Sequence, residues 1–149
     1  FLSNLPNFTP LNMSLTLRVL APDQSVFDGT ADEVILPSTT GLIGILPGHI
    51  SLVTALDIGV MRVLKNGNWS SIALMGGFAE VEADDVTILV NGAQLGSNID
   101  LANAEAELDK ARNEFNKLEG QQSSPEKIKA QQGLSKARAK VQASKGEGK

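Results

Sequence analysis

The side chains best able to do chemistry are few and scattered. His49, the chain's one imidazole, follows Pro47-Gly48 at the end of an apolar run. To act as a general base it needs an oriented nucleophile or a carboxylate partner. The nearest acids along the chain, Glu33 and Asp57, make neither a triad nor a metal-ligand spacing with it. His49 therefore reads as a structural or contact residue. Asp84-Asp85 sets two carboxylates side by side, as a cation site would, but the pair lies between two strand-like runs and reads as a hairpin turn. The glycines of Gly41-Leu-Ile-Gly44 and Gly76-Gly77 lack the following helix and the Lys of a phosphate-cradling loop, which leaves bulges and tight turns. The absence of cysteine removes disulfides, zinc-thiolate sites and thiol nucleophiles. No catalytic, metal or cofactor site is expected.

What remains is charge. The 149 residues carry 13 basic and 17 acidic side chains, a net charge of −4 that argues against nucleic acid as the main partner. The average hides a division. Residues 1–96 hold nine acidic side chains against Arg18, Arg62 and Lys65, whereas residues 97–149 hold ten basic against eight acidic. From Lys127 onward, seven basic residues, among them Lys127, Lys129, Lys136, Arg138, Lys140 and Lys145, face Glu147 alone. A cationic end of this kind attracts an acidic partner through interactions that salt screens.

The elements that must carry these residues follow from periodicity. From Leu15 to about Leu95 apolar residues recur with period two, and Gly, Pro, Asn and Asp break the pattern about every ten residues. Val60–Leu64 and Trp69–Met75 flank Asn66-Gly67, a strong hairpin signal. With no helical pattern between the strands, this spacing predicts an antiparallel sandwich or barrel over residues 13–96. The longest apolar stretch, Leu42 to Leu56, is broken by Pro47, Gly48 and His49, so no bilayer span is expected. Residues 1–12 carry no charge and contain Pro6 and Pro10; they read as a non-native or disordered extension ahead of a natural start at Met13.

The period then changes. Leu101, Ala104, Leu108, Ala111, Phe115 and Leu118 line one face of a helix that Asp100 can cap. After the breaker Gly120–Ser123, Ser124-Pro125-Glu126 starts a second helix with a thinner stripe of Ala130, Leu134, Ala137 and Val141, Ile128 standing nearby. Residues 97–144 are thus an antiparallel two-helix hairpin, with 145–149 a flexible tail. Its few large apolar side chains, at about 1.5–3 kcal/mol each when fully buried, barely offset the ordering entropy of both helices. The hairpin must lean on the sandwich or on a partner, and so suits an element that leaves its resting place.

Taken together, several segments resemble one family. The run from Val34 through Pro47-Gly48-His49, then Leu56-Asp-Ile-Gly-Val-Met-Arg62, Ala73-Leu-Met-Gly-Gly-Phe-Ala-Glu-Val-Glu82 and Val86-Thr-Ile-Leu-Val-Asn-Gly92, is similar to the epsilon subunits of rotary ATP synthases, in the wording of the cyanobacterial and chloroplast branch. The resemblance spans Met13 to about Ser144. It implies a sandwich of about ten strands in two sheets followed by two helices, and a non-catalytic subunit of the central stalk. Such a subunit couples gamma to the membrane rotor ring and restrains ATP hydrolysis by the alpha/beta head through its C-terminal helices.

The resemblance also implies site residues. Leu42, Ile43, Pro47, Gly48, His49, Ile50, Leu52 and Val53 fall in the region that lies near gamma and the c subunits of the rotor ring, though Leu42 stands where some relatives carry Glu. Lys127, Lys129, Lys136, Arg138 and Lys140 become the inhibitory cations, facing an acidic loop of the catalytic subunits. Nucleotide-binding members carry Ile-Asp-x-x-Arg-Ala where this chain has Ile99-Asp-Leu-Ala-Asn103-Ala. Asn103 removes the guanidinium that pairs with phosphate, so ATP on the hairpin is not expected. The implied location is peripheral, on the cytoplasmic or stromal face of the thylakoid membrane, without insertion. The competing reading is a β-sandwich adaptor with a helical docking tail, which co-purification with gamma and an ATPase head would distinguish.

Overall fold

A computed structural model describes residues 14–146. The extension expected at 1–12 and residues 147–149 of the expected tail lie outside the described residues. Eight strands come first: β1 (Leu15–Ala21), β2 (Gln24–Ala31), β3 (Glu33–Ser38), β4 (Gly41–Ile45), β5 (Leu52–Lys65), β6 (Asn68–Glu82), β7 (Asp85–Val90) and β8 (Ala93–Leu95). A 3-10 turn at Gly96–Asn98 leads into α1 (Leu101–Lys117) and α2 (Pro125–Lys145). Lys145, placed in the tail by the sequence reading, is the last residue of α2.

The sandwich is one hydrogen-bonded ribbon folded over its own core, in the order β2-β1-β7-β6-β5-β3-β4, with β8 on β6. Its pairings are antiparallel except β1 with β7, which run parallel. The count of eight corrects the expectation of about ten, and the long strands give the reason. β5 and β6 span 14 and 15 residues, and each changes the face it turns inward midway. In β6, Ile72 and Leu74 enter the core before the bend and Ala79 and Val81 after it. In β5, Leu52 and Leu56 turn inward at one end and Met61 and Val63 at the other. Counting each half separately gives ten.

Gly76 and Gly77 make this inversion sterically feasible. Their φ values of 85° and 155° lie where side chains are strained. The bend is stitched by Met75 N–H to the Gly92 carbonyl and Asn91 N–H to the Gly76 carbonyl, both at 2.9 Å. A Cβ on Gly77 would run into the Leu89 carbonyl oxygen. Gly77→Ala is therefore expected to cost about 3 kcal/mol, read as a lowered urea midpoint with unchanged slope.

The helical hairpin lies folded on the sandwich. Asp100 caps α1 by accepting from Asn103 N–H at 3.2 Å, and Ser124 caps α2 by accepting from Lys127 N–H at 3.2 Å. The buried residues of α2 fall on opposite sides. Leu134, Ala137 and Val141 share one face, while Ala139 and Ala143 lie roughly half a turn away. Ala139 and Ala143 join Ala73 of β6 in a small cluster with Ile58, Val60, Met75 and Ile99. α2 is thus the middle layer, packed on β5 and β6 on one side and on α1 on the other. Ala143 comes so near Gly96 that a Cβ there would strike its carbonyl oxygen, and Ser144 Oγ donates to the Ile99 carbonyl at 3.2 Å.

Candidate functional site

The loop between β4 and β5, with its flanking strand ends, divides into inward and outward residues. Leu42, Ile50 and Val53 are 72%, 78% and 74% exposed, and Leu46 joins them on the surface. Ile43 and Leu52 instead pack against the sandwich core. Pro47 and His49 are half-buried and Gly48 is exposed. The eight expected contact residues are therefore gathered in one region, yet only part of the set presents apolar surface. Leu46 was missed, although alternation along β4 (Leu42 out, Ile43 in, Gly44 out, Ile45 in) points it outward.

The loop is held in shape from across the chain. Gly48 N–H donates to Asp84 Oδ1 at 2.7 Å, so the β6–β7 turn anchors the β4–β5 loop. His49 N–H closes a turn on the Leu46 carbonyl at 3.0 Å, and its Nδ1 lies 2.7 Å from the Ile50 carbonyl oxygen. The imidazole is thus engaged with neighbouring backbone and forms no ion pair with a carboxylate among the described residues. Among the described residues no three His, Cys, Asp or Glu side chains gather as metal ligands. The Asp84 carboxylate holds the β4–β5 loop in place.

The basic residues of α2 differ from one another. Lys129, Lys136 and Arg138 are exposed and form no ion pair among the described residues. Lys140 instead reaches Glu107 of α1 at 3.2 Å, and Lys127 Nζ donates to the Gln121 carbonyl at 2.8 Å. The sequence expectation that few acidic neighbours neutralise these cations fails for Lys140, because Glu107 lies 33 residues away and only the hairpin fold brings it close. At 100° per residue Arg138 projects from nearly the opposite side of α2 to Lys129 and Lys136, so the three do not form one patch while the hairpin is docked.

A second apolar surface escaped the sequence reading. Leu20, Leu89, Phe78 and Ala55 are cross-strand neighbours in register, making a row across β1, β7, β6 and β5. Phe78 and Leu89 are more than half exposed. The row borders an open groove whose far side is formed by Gln132 and Ser135 of α2. The signal was present in Phe78 and Leu89, which share parity with the solvent-facing Glu80 and Thr87, but the inversion at Gly76-Gly77 hides that parity from a simple count.

Comparison with known proteins covers nearly the whole chain. Residues 14–96 match the model of the ATP synthase delta/epsilon chain β-sandwich domain, and residues 97–145 match that of the delta/epsilon chain long α-helix domain. An ATP synthase epsilon chain of Prochlorococcus marinus (strain MIT 9313) is 77% identical over 133 residues, covering 89% of this chain and 100% of that one. One from Synechococcus sp. (strain WH7803) is 71% identical over the same length and is covered to 98%. A chain in the Euglena gracilis mitochondrial ATP synthase OSCP/F1/c-ring structure superposes with a TM-score of 0.74 at 20% identity, covering 91% of this chain and 84% of that one. A chain in the Tetrahymena thermophila mitochondrial ATP synthase central stalk/c-ring structure gives 0.57 at 15% identity, covering 91% and 98%. At these identities the two structures speak for the fold alone.

Proposed function

The chain belongs to the ATP synthase delta/epsilon chain family through both its domains, and on that premise we propose that it links gamma to the c-ring in the central stalk and restrains ATP hydrolysis with its helical hairpin. It is a non-catalytic chain of that complex. The β-sandwich supplies the attachment, through the exposed Leu42, Leu46, Ile50 and Val53 beside the Pro47-Gly48-His49 turn. Burial against a partner is what a cluster of this kind requires in water. The hairpin supplies the restraint by leaving the sandwich and reaching the alpha/beta head. Its site is peripheral, on the cytoplasmic or stromal face of the thylakoid membrane; among the described residues no helix is long and apolar enough to cross a bilayer. No nucleotide is assigned to the hairpin. Asn103 stands in the first turn of α1, where its backbone N–H serves the Asp100 cap and its side chain carries no charge for phosphate.

One observation carries this reading: α2 is seated on the sheet chiefly by two alanines, Ala139 and Ala143, against Ala73 and its neighbours. Small side chains bury little area each, so this contact separates at modest cost. The direct test is the rate of ATP hydrolysis by the catalytic head and gamma, measured with and without the full chain. An unchanged rate would remove the regulatory role while leaving the attachment role standing.

Charge accounts for part of the proposed restraint. Exposed ion pairs contribute about 0.2–1 kcal/mol each, so single Ala replacements of Lys129, Lys136 or Arg138 are expected to change inhibition very little. All three together should weaken it about 5- to 30-fold, the equivalent of roughly 1–2 kcal/mol. Raised ionic strength should reproduce the loss in the parent chain, since screening at physiological salt already acts over about 8 Å. Inhibition that survives both treatments would assign the restraint to apolar packing. Lys140 belongs in a separate variant because its removal also breaks the contact with Glu107.

A further inference from the structure

The chain carries three methionines, and the two among the described residues stand in opposite surroundings. Met61 turns into the sandwich core and is 0% exposed. Met75 lies on the other face of the sheet. Before the bend in β6 the inward residues are Ile72 and Leu74, so Ala73 and Met75 share the outer face, the one that carries α2. Across the sheet Met75 pairs with Ile58, and both pack on the cluster of Ala73, Ala139 and Ala143 that seats the helix. Met75 is only half-buried. It also borders the open groove that runs from Phe78 and Leu89 to Gln132 and Ser135 of α2.

The residues beside Met75 do little to wall it off from the groove. Gly76 and Gly77 follow it and bring no side chains, and Gly92 lies alongside, where a Cβ would stand 3.5 Å from Met75 Cγ. Two bonds pin the backbone here: Met75 N–H donates to the Gly92 carbonyl at 2.9 Å, and the Met75 carbonyl accepts from Asn91 Nδ2 at 3.4 Å. The side chain is thereby kept at the border between the helix seat and water. A thioether is apolar while reduced and becomes polar when oxidised to the sulfoxide. The make-up of the seat enlarges the consequence. Its buried residues are alanines, so the larger side chains around them, Ile58, Val60, Met75 and Ile99, supply much of the apolar area that α2 covers.

We propose that Met75 is an oxidation site whose conversion to the sulfoxide loosens α2 from the sheet. The oxidant is a hydroperoxide. The sulfur lone pair attacks its terminal oxygen, an S–O bond forms as the O–O bond breaks, and the leaving oxygen takes the proton. Sulfur is thus oxidised by two electrons and the hydroperoxide is reduced to an alcohol, or to water where it is hydrogen peroxide. The new oxygen is a strong acceptor, and the alanines of the seat offer it no side-chain donor. Hydration toward the groove draws the side chain off those alanines, so the contact is lost either way. Reduction by a dithiol, which leaves as a disulfide with one water, returns the thioether and the seat. The link from a loosened helix to ATP hydrolysis rests on the hairpin role proposed above, whereas the oxidation and the loosening do not.

The experiment exposes the full chain to dilute hydrogen peroxide in a Met13→Leu background, which leaves Met61 and Met75 as its thioethers. Peptide mass mapping reads the added oxygen. Amide hydrogen exchange reads docking, with α2 residues 139–143 compared against the core amides of β1 and β7. Met75 should be oxidised at least about tenfold faster than the enclosed Met61. Exchange in α2 should then rise about three- to tenfold, as expected for partial loss of one large apolar contact, with the core amides unchanged. Methionine sulfoxide reductases, one for each sulfoxide epimer, should restore the parent rates. Met75→Leu keeps the volume without the sulfur and should make α2 exchange indifferent to peroxide. Equal oxidation rates at Met61 and Met75 overturn the proposal, as does parent-like α2 exchange in the Met75 sulfoxide. A peroxide response that persists in Met75→Leu overturns it too, because the loosening then has another source.

Discussion

Ending the chain after Gly96 is expected to abolish the proposed restraint of ATP hydrolysis while leaving a folded sandwich that keeps the proposed attachment to gamma and the c-ring. Every large side chain of the main core, from Leu15 to Val90, lies before the cut, and the hairpin covers only a small alanine-lined patch outside that core. Removing it uncovers Ala73, Val60 and Met75 and leaves the sandwich's own pairings intact. A complementary variant keeps the hairpin and prevents its departure. The chain has no cysteine, so replacing Ala73 and Ala139 by Cys and bridging them with a short thiol crosslinker ties α2 to the sheet selectively. The bridged protein should inhibit as poorly as the truncated one and recover when only one of the two thiols is present. Full inhibition by either form would show that the docked hairpin, or the sandwich alone, is the restraining element.

Three aspartates at Leu42, Ile50 and Val53 should release the sandwich from gamma and the c-ring with a loss of at least about 3–5 kcal/mol, more than two orders of magnitude in affinity. Each of these positions faces solvent in the free chain, so the substitutions leave its thermal unfolding nearly unchanged. In a dehydrated contact each carboxylate lacks a partner, and that cost falls on the complex alone. Ile43 makes the opposite control: it packs on the core, and Ile43→Asp should lower stability before binding is ever measured. Unaltered affinity of the folded triple variant, measured on immobilised gamma and c-ring, would remove this face from the attachment.

Both domains were legible because their signals are local. Alternation along β1 or β7, the change to helical spacing near residue 98, and the caps at Asp100 and Ser124 each depend on residues a few positions apart. What escaped depends on distant partners. The parallel pairing of β1 with β7 joins segments some seventy residues apart, as Leu17 with Val86. The change of face in β5 and β6 is set by two glycines and by the Asn91-Gly92 turn bonded to them. The second buried face of α2 was missed because its residues are alanines, whose burial a sequence barely marks, and because two opposed apolar faces cancel in any measure of one-sidedness. Arg62 lies between two core residues and by alternation points outward, which in a single layer means solvent. Arg62 is nonetheless buried, with the Trp69 ring of β6 over its guanidinium. The candidate contact region was found as a segment, while its division into Ile43 and Leu52 inward and Leu42, Leu46, Ile50 and Val53 outward needed the strand phase.

The docking of α2 has a kinetic and thermodynamic corollary in the short connection from Gly96 to Asp100. This peptide, partly a 3-10 turn, ties the hairpin to the sheet it covers. A tethered segment meets its own seat at an effective concentration on the order of millimolar, whatever the abundance of the protein. Any outside surface that takes the hairpin must outcompete that local copy, so a weak encounter leaves the helices at rest and only a multivalent, strongly attractive one draws them off. Because the seat is made of small side chains, a surface that met this threshold would need few further contacts, and a hairpin drawn off by it would return unaided once they lapse. Under the proposed restraint, the tether would make the response independent of expression level and resettable without synthesis of new protein.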